Sequence, residues 1–263
     1  MIDINLILLP FVGFLIGLLV TTLGGGGGAL YVPVLTLFFG IAPQVAVATS
    51  LATVLPTTAV GALGHHRLGH VDVRTGVILG VGGILGTLIG AYFANQIPGD
   101  ILKKALGVLL LIMIIPMLRR ALQGRKKQKD DKTEVKESLK LTGTRRIIAS
   151  FFGVLSGILA GVFGLSGTPP VTAGLYSLGL PAVIVVGTTV FVLVFNSVAG
   201  VAGYLVLGRF DLTLTLLLGS GAVCGALIGP RLFERIGQDV FEKILPPIFM
   251  IISIVFGLSL ILT

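Results

Sequence analysis

The stretch that decides the fold is LVTTLGGGGGALYVPVLTLFFG, residues 19–40. Five consecutive glycines, Gly24–Gly28, separate an apolar run at 4–23 from a second apolar piece at 29–40, which has only 12 residues. A helix that crosses the hydrocarbon core needs about 20 residues, so the first piece is long enough to span a membrane and the second is not. The stretch predicts a membrane protein in which a spanning helix is followed by a half-helix or re-entrant segment.

The composition of the whole chain also indicates a membrane protein. Hydrophobic residues make up 54% of the 263 residues and charged residues 11%, against roughly 25% charged in soluble domains. This balance excludes a water-soluble fold. The 38 glycines lie within apolar stretches, which indicates close helix packing rather than flexible linkers. Cys224 is the only cysteine, so we expect no internal disulfide and no Cys-rich metal site.

Eight apolar stretches are long enough to be spanning helices. They are 4–23, 43–64, 73–95, 101–118, 147–164, 182–207, 212–233 and 240–262. We expect the first to stay in the mature protein, because Met1–Asn5 has no basic residue and no small-residue cleavage site follows. The pieces at 29–40 and 169–180 fit half-helices. The predicted fold class is all-α integral membrane, with about eight transmembrane helices plus two short half-helix or re-entrant segments.

Residue types recur along the chain at a constant offset of 139 positions. The pairs include Gly25 and Gly164, Thr49 and Thr188, Asp72 and Asp211, Asp100 and Asp239, and Lys104 and Lys243. Glycines match by chance in any Gly-rich membrane protein, but matched Asp, Thr and Lys indicate a duplication. We predict two homologous transmembrane repeats, at 1–118 and 147–263, joined by a linker at 119–146.

The net charge of +8 is concentrated in that linker. Residues 119–146 hold eleven of the 19 lysines and arginines, so the basic excess does not indicate a nucleic-acid partner. Because Lys and Arg concentrate in cytoplasmic loops, we expect the linker on the cytoplasmic side of the cell membrane. The loop from His65 to Arg74 is more basic than the corresponding loop, which has only Arg209, and this favours inverted repeats with the N-terminus outside.

The glycine-rich turn of each half is a candidate anion-binding site. A helix N-terminus attracts an anion through its free N–H groups and its dipole, and transporters use broken helices in this way. The candidate residues are Gly25, Gly26, Gly27 and Gly28 in the first half and Ser166, Gly167 and Thr168 in the second. The alternative is a tight turn with glycine-mediated packing. We favour anion binding because the arrangement occurs twice.

Hydroxyl and amide side chains on the next helix of each half are the second candidate site. Thr49, Thr53 and Thr57 lie four residues apart, on one helix face, with Ser50 beside them. In the second half the candidates are Thr188, Thr189 and Asn196. The alternative is that these hydroxyls bond to carbonyls of their own helix. Because the polar face is duplicated, we favour the lining of a substrate pathway.

The carboxylates are predicted to be structural. No predicted span has a carboxylate at its centre, which argues against a proton relay of the usual kind. Asp72, Asp211, Asp100 and Asp239 come just before apolar runs and are expected to be helix N-caps.

The histidines and the glycine-rich spans are also given structural roles. His65, His66 and His70 form the only imidazole cluster, but Gly64 and Gly69 predict that the helix ends before His66 and His70 can share a face. We therefore favour a membrane-boundary role over a metal site. The glycines of 73–95 and 212–233 indicate closely packed central helices, since no strand and turn precede them as in a nucleotide site. We expect no catalytic residue, no metal and no cofactor.

The sequence resembles the TauE/SafE sulfite exporter family of membrane transporters over nearly the whole chain apart from the linker. The resemblance rests on the glycine run followed by apolar residues and Pro33, on Ala48-Thr49-Ser50, and on Gly69-His70-Val71-Asp72. The pattern recurs as Gly187-Thr188-Thr189 and Gly208-Arg209-Phe210-Asp211. It implies a multi-pass transporter, often an exporter, of small sulfur-containing anions such as sulfite, thiosulfate or organosulfonates.

The second turn departs from the family pattern. Where the family would have Gly-Gly-Gly, apolar residues and Pro, this chain has Leu165-Ser166-Gly167-Thr168-Pro169-Pro170. Our leading hypothesis is a secondary transporter that binds an anion between two repeats, which rock against each other. The alternatives are a passive anion channel, a transporter of a non-sulfur organic anion, and a structural or sensory membrane component. An intramembrane enzyme is disfavoured because no span has a central His or carboxylate.

Overall fold

The computed structural model describes residues 7–23, 28–122, 143–236 and 238–262, and these residues form ten α-helices and no strand. The helices of the first half are α1 (Leu9–Leu23), α2 (Gly28–Phe38), α3 (Pro43–Arg67), α4 (Val73–Gln96) and α5 (Gly99–Leu122). Those of the second half are α6 (Gly143–Phe163), α7 (Thr168–Ser177), α8 (Ala182–Val206), α9 (Leu212–Ile236) and α10 (Gln238–Leu262). The predicted all-helical class is confirmed. Most of the predicted linker, 123–142, lies outside the described residues.

Each of the eight stretches predicted to span contains a helix, of 15 residues in α1 and of 21 or more in the others. Among the described residues, four helices are long and apolar enough to cross a membrane: α3, α4, α8 and residues Arg145–Phe163 of α6. The two short pieces are helices as well, with 11 residues in α2 and 10 in α7. At 1.5 Å per residue each is about 16 Å long, roughly half the thickness of a hydrocarbon core.

The helix bounds of the two halves recur at the offset seen in the sequence. Both α3 and α8 have 25 residues, and their first residues, Pro43 and Ala182, are 139 positions apart. The first residues of α4 and α9, and those of α5 and α10, have the same separation. Each half therefore contains one long helix, one short helix and three further long helices in the same order.

Helices α3 and α8, which occupy equivalent places in the two halves, run antiparallel. A Cβ added to Gly61, late in α3, would lie 3.1 Å from a methyl of Val190, early in α8. Conversely, Gly200, late in α8, lies against Leu51 of α3. Helices α5 and α10 also pack together. The late residues of α3 thus meet the early residues of α8, and the reverse.

The first helix of each half packs along the fourth helix of the other half. A Cβ on Gly86 of α4 would overlap the carbonyl of Val154 in α6, and a Cβ on Gly225 of α9 would overlap the carbonyl of Phe14 in α1. Backbones come this close only because glycine has no side chain. The prediction that the glycine-rich helices α4 and α9 are closely packed is confirmed.

Two of the four predicted N-caps are found. The Asp72 carboxylate accepts hydrogen bonds from the Thr75 amide at 3.2 Å and from the Thr75 hydroxyl at 2.8 Å, and Asp211 accepts one from the Leu214 amide at 3.0 Å. The prediction is wrong for Asp100, which is the second residue of α5. The side chain of Asp239 lies outside the described residues. In α5 the carbonyl of Pro98 already accepts the first helical bonds, from Ile101 and Leu102.

Helix α3 ends later than predicted, beside the histidines. The helix continues past Gly64 to Arg67, because a glycine in a helix interior is tolerated. It ends where Gly69 adopts a φ of +72°, and the amide of His70 donates to the carbonyl of His65 at 2.9 Å, as in a Schellman motif. Within the described ranges, no group of three or more His, Cys, Asp or Glu side chains could hold a metal.

Candidate functional site

The start of the first short helix meets the turn before the second one. Gly28, the first residue of α2, is buried, and a Cβ added to it would overlap the carbonyl of Gly164. The Ser50 hydroxyl of α3 donates a hydrogen bond to that same carbonyl at 3.0 Å. Two residues that the sequence analysis assigned to the site, Gly28 and Ser50, are thus brought together by a backbone group of the other half. Gly25, Gly26 and Gly27 lie outside the described residues.

The second short helix begins beside the middle of two long helices. Gly167, the N-cap of α7, accepts a hydrogen bond through its carbonyl from the Ser156 hydroxyl at 2.8 Å. A Cβ on Gly167 would lie 2.9 Å from the amide nitrogen of Asn196. Ser156 and Asn196 are near the centres of α6 and α8. Further along, Gly174 lies against Phe152, so α7 runs back toward the start of α6.

A hydrogen-bond network built on Asn196 holds this second turn. The side-chain amide of Asn196 donates to the Ser156 hydroxyl at 2.9 Å and to the Ser166 carbonyl at 3.1 Å. The turn contains three residues with positive φ, Gly164 at 68°, Ser166 at 57° and Gly167 at 78°. A left-handed conformation is unfavourable for serine, so these bonds stabilise a strained backbone. Both protons of the Asn196 amide are used within the protein.

Ser156 was not among the predicted site residues. It is fully buried and is both donor and acceptor in the Asn196 network. Its repeat position, 139 residues earlier, is Gly17, so the comparison of the two halves contains no signal for it. The only available signal was a hydroxyl within an apolar span, which more often bonds to its own helix.

The two short helices differ in the donors at their first turns. In α2, Gly28, Ala29 and Leu30 each have a backbone N–H. In α7, Thr168 is followed by Pro169 and Pro170, which have none. The first turn of α7 therefore offers fewer amides to an anion. Instead it presents the Thr168 hydroxyl, a buried group with no hydrogen-bond partner in the described part of the chain.

The hydroxyl face of α3 contains two kinds of residue. Thr49 and Thr53 are fully buried, and neither Oγ1 has a hydrogen-bond partner among the described residues. Leaving a buried hydroxyl unpaired costs about 1–3 kcal/mol, so two on one helix face require an explanation. Thr57 is different, because its hydroxyl donates to the Val54 carbonyl of its own helix at 2.7 Å. The alternative from the sequence analysis thus describes Thr57 and not its two neighbours.

The corresponding face of α8 is mostly engaged with protein groups. The Thr188 hydroxyl accepts a hydrogen bond from the backbone amide of Asp72 at 3.0 Å, which attaches the α3–α4 loop to α8. Asn196 is bonded to the second turn as described. Thr189 is buried, and its hydroxyl has no partner within the ranges described.

Comparison with known proteins places the chain among transporters. The sequence profile described as "Sulfite exporter TauE/SafE" matches residues 9–260. Probable membrane transporter protein YdhB of Bacillus subtilis is 33% identical over 238 residues, which cover 90% of this chain and 94% of YdhB. YunE of the same organism, also a probable membrane transporter protein, is 25% identical over 98% of this chain and 97% of its own length. No solved structure matches the chain.

Proposed function

The chain belongs to the sulfite exporter TauE/SafE family of membrane transporters, which are not enzymes, and from this premise we propose that it is a secondary transporter that exports small sulfur-containing anions. The class we propose comprises sulfite, thiosulfate and organosulfonates. The observation that carries the proposal is the start of α7 beside the centres of α6 and α8, in contact with polar side chains. Transporters bind ions at such broken helices near the membrane midplane.

We further propose that the two halves are inverted repeats in the plasma membrane, with eight spanning helices and two half-helices. The antiparallel packing of α3 on α8 supports inversion, because equivalent helices of parallel repeats would run in the same direction. Charge supports a cytoplasmic linker and a cytoplasmic α3–α4 loop, because His65, His66 and Arg67 end α3, His70 lies in the loop, and Arg74 lies at the start of α4. The equivalent α8–α9 loop has only Arg209, whose Nε donates to Asn95 at 2.8 Å.

The substrate contacts in this proposal come from the unpaired groups. Thr49 and Thr53 on α3 offer two hydroxyl donors one helical turn apart, and Thr168 offers a third. A small oxyanion accepts hydrogen bonds at several oxygens, so it suits a set of neutral donors and needs no buried cation. In this arrangement Gly28, Ser50 and the Asn196 network keep the two turns in position.

The proposed function is tested by transport into liposomes containing the purified protein. We expect saturable uptake of sulfite, thiosulfate or sulfoacetate, with little uptake of acetate. Thr49→Val should lower the rate by at least about tenfold, a change in barrier of about 1.4 kcal/mol, because it removes an unpaired donor. Thr57→Val is the matched control, since that hydroxyl is bonded within its own helix, and it should retain the parental rate.

Three results would contradict the proposal. Uptake of carboxylates alone would keep an anion site and reject the sulfur substrate. Current that does not saturate with concentration would indicate a passive channel. Equal rates in Thr49→Val and the parent would reject the assigned contacts.

A further inference from the structure

Two helix seams of the protein occupy equivalent positions in the two halves but are packed differently. The first, the α4–α8 seam, joins the fourth helix of the first half to the third helix of the second. Its counterpart is the α3–α9 seam, because α9 lies 139 positions after α4 and α3 lies 139 positions before α8. Helix α4 packs along α8 more extensively than α9 packs along α3.

Aromatic rings fill the α4–α8 seam. A Cβ added to Gly80 would lie 2.7 Å from the ring of Phe195, and one added to Gly76 would lie 2.7 Å from the ring of Phe191. The two rings stack edge to face, with their centroids 5.2 Å apart. Toward the end of α8, a Cβ on Gly203 would lie 3.3 Å from Leu88.

The α3–α9 seam has no such filling at the equivalent positions. A Cβ added to Gly219, the counterpart of Gly80, would come within 4 Å only of the Thr53 hydroxyl, at 4.0 Å. A Cβ on Gly64, the counterpart of Gly203, would meet nothing within 4 Å. Among the described residues, this seam therefore has open space at Gly219, where the other seam has a phenyl ring; Gly64 is exposed near the end of α3, and the counterpart of Gly76 is Thr215.

The sequence explains why only one seam is filled. The positions of α3 that correspond to Phe191 and Phe195 are occupied by Ala52 and Pro56. The side chains of alanine and proline are much smaller than a phenyl ring, so they cannot fill the same space. The difference in filling between the seams thus follows from two pairs of equivalent residues, Phe191 with Ala52 and Phe195 with Pro56.

The unpaired hydroxyls belong to this loosely packed seam. Thr53 is the group nearest to Gly219, and Thr49 lies one turn earlier on the same face of α3. In the other seam the counterpart of Thr53 is Val192, and the counterpart of Thr49 is Thr188, whose hydroxyl already accepts the Asp72 amide. Loose packing and the unpaired hydroxyls of Thr53 and Thr49 thus coincide in one seam, whereas neither of their counterparts in the other seam has an unpaired hydroxyl.

We propose that the α3–α9 seam is the route by which the substrate oxyanion reaches Thr53 and Thr49, and that Phe191 and Phe195 close the equivalent α4–α8 seam. The inference rests on the proposed transport function and adds a single-sided route to it. The seam leads from Gly64, at the end of α3, to Thr53 at its middle. Arg67 at that end of α3 and Arg74 at the start of α4 are positively charged and attract anions.

The test compares how fast a thiol reagent labels a cysteine at each of two buried positions, one in each seam. Thr53→Cys and Val192→Cys are made in a Cys224→Ser background, which removes the only native thiol. Both positions are fully buried, so neither is favoured by static exposure. The probe is 2-sulfonatoethyl methanethiosulfonate, a small anionic thiol reagent, added to liposomes with access from both sides. Thr53→Cys should react at least about tenfold faster than Val192→Cys, and sulfite or thiosulfate should slow its reaction.

A second pair of variants reports on the closed seam. Adding Phe195→Ala to Val192→Cys should raise the labelling rate, because it removes the ring that fills the space at Gly80. Gly219→Leu should reduce transport at least about tenfold by filling the other seam, while Ser220→Leu, one residue further on an exposed face, should not.

The outcomes separate this inference from the proposed function. Equal labelling of the two cysteines, faster labelling of Val192→Cys, or no labelling of either would overturn the single-sided route, even if the Cys224→Ser parent transports sulfite or thiosulfate. A parent that transports none of the tested anions would instead reject the proposed function.

Discussion

The two halves have the same helix order but use their polar residues differently. In the second half, Asn196 and Thr188 are bonded to backbone groups, so these side chains hold a turn and a loop in place. In the first half, the counterpart of Thr188 is Thr49, which is equally buried but has no partner in the part of the chain that is described. Positions 139 residues apart therefore need not have equivalent hydrogen-bond roles. We interpret Asn196 and Thr188 as scaffold residues and Thr49 as a free donor, although Thr168 and Thr189 of the second half also have unpaired hydroxyls among the described residues.

The largest expected effect is at the contact between the two turns. Gly28→Ala places a methyl group on the carbonyl of Gly164, and neither backbone can move without disturbing α3. We expect a loss of at least about 3 kcal/mol, the upper end for overpacking, measured as a large fall in the thermal transition or no folded protein. Gly64→Ala is the control, because its added methyl meets nothing within 4 Å. A Gly28→Ala protein with parental stability would show that the two halves do not meet at this point.

An intermediate effect is expected when the scaffold network is broken. Asn196→Leu removes two hydrogen bonds and leaves the Ser166 carbonyl and the Ser156 hydroxyl without this donor. The expected cost is about 2–3 kcal/mol, seen as a lower melting temperature in detergent. Ser197→Ala, next to it on α8, removes a buried hydroxyl that has no partner in the described ranges and should cost nothing. If Asn196→Leu and Ser197→Ala have the same melting temperature, the network does not stabilise the turn.

The smallest expected effect on stability is at Thr188 and Thr49, and these equivalent positions compare the two halves most directly. Thr188→Val removes the acceptor of the Asp72 amide and should cost about 1 kcal/mol. Thr49→Val, at the equivalent position, removes an unpaired hydroxyl and should leave the melting temperature unchanged or raise it. Ligand should separate them as well, since stabilisation by sulfite or thiosulfate should be lost only in Thr49→Val. Equal costs at the two positions would mean that the halves are equivalent after all.

Sequence reasoning located the helices well and the contacts poorly. Apolar length and the glycine run were sufficient to predict the long helices and the two short ones, because the bilayer thickness sets helix length. The N-caps at Asp72 and Asp211 followed from local chemistry. Asp100 was predicted wrongly, because a carboxylate before an apolar run can equally lie inside the first turn.

The candidate site was predictable only as a set of residue types. Thr49, Thr53 and Thr57 share a helix face in the sequence, and nothing local distinguishes them. Thr57 bonds to its own helix, whereas Thr49 and Thr53 do not. The counterpart of Ser156 in the other half is Gly17, which has no side chain, so the role of Ser156 in holding the second turn could not be inferred from the repeat.

The sequence by itself determined the membrane class, the order of long and short helices and the offset of 139 between the halves, because these depend on local hydropathy and on recurring residue types. Only the tertiary structure decided that α3 and α8 run antiparallel, that Gly28 meets Gly164, and that rings fill one seam and not the other. Such features depend on residues more than a hundred positions apart. Their contacts are set by how helix surfaces fit together, which no local pattern encodes.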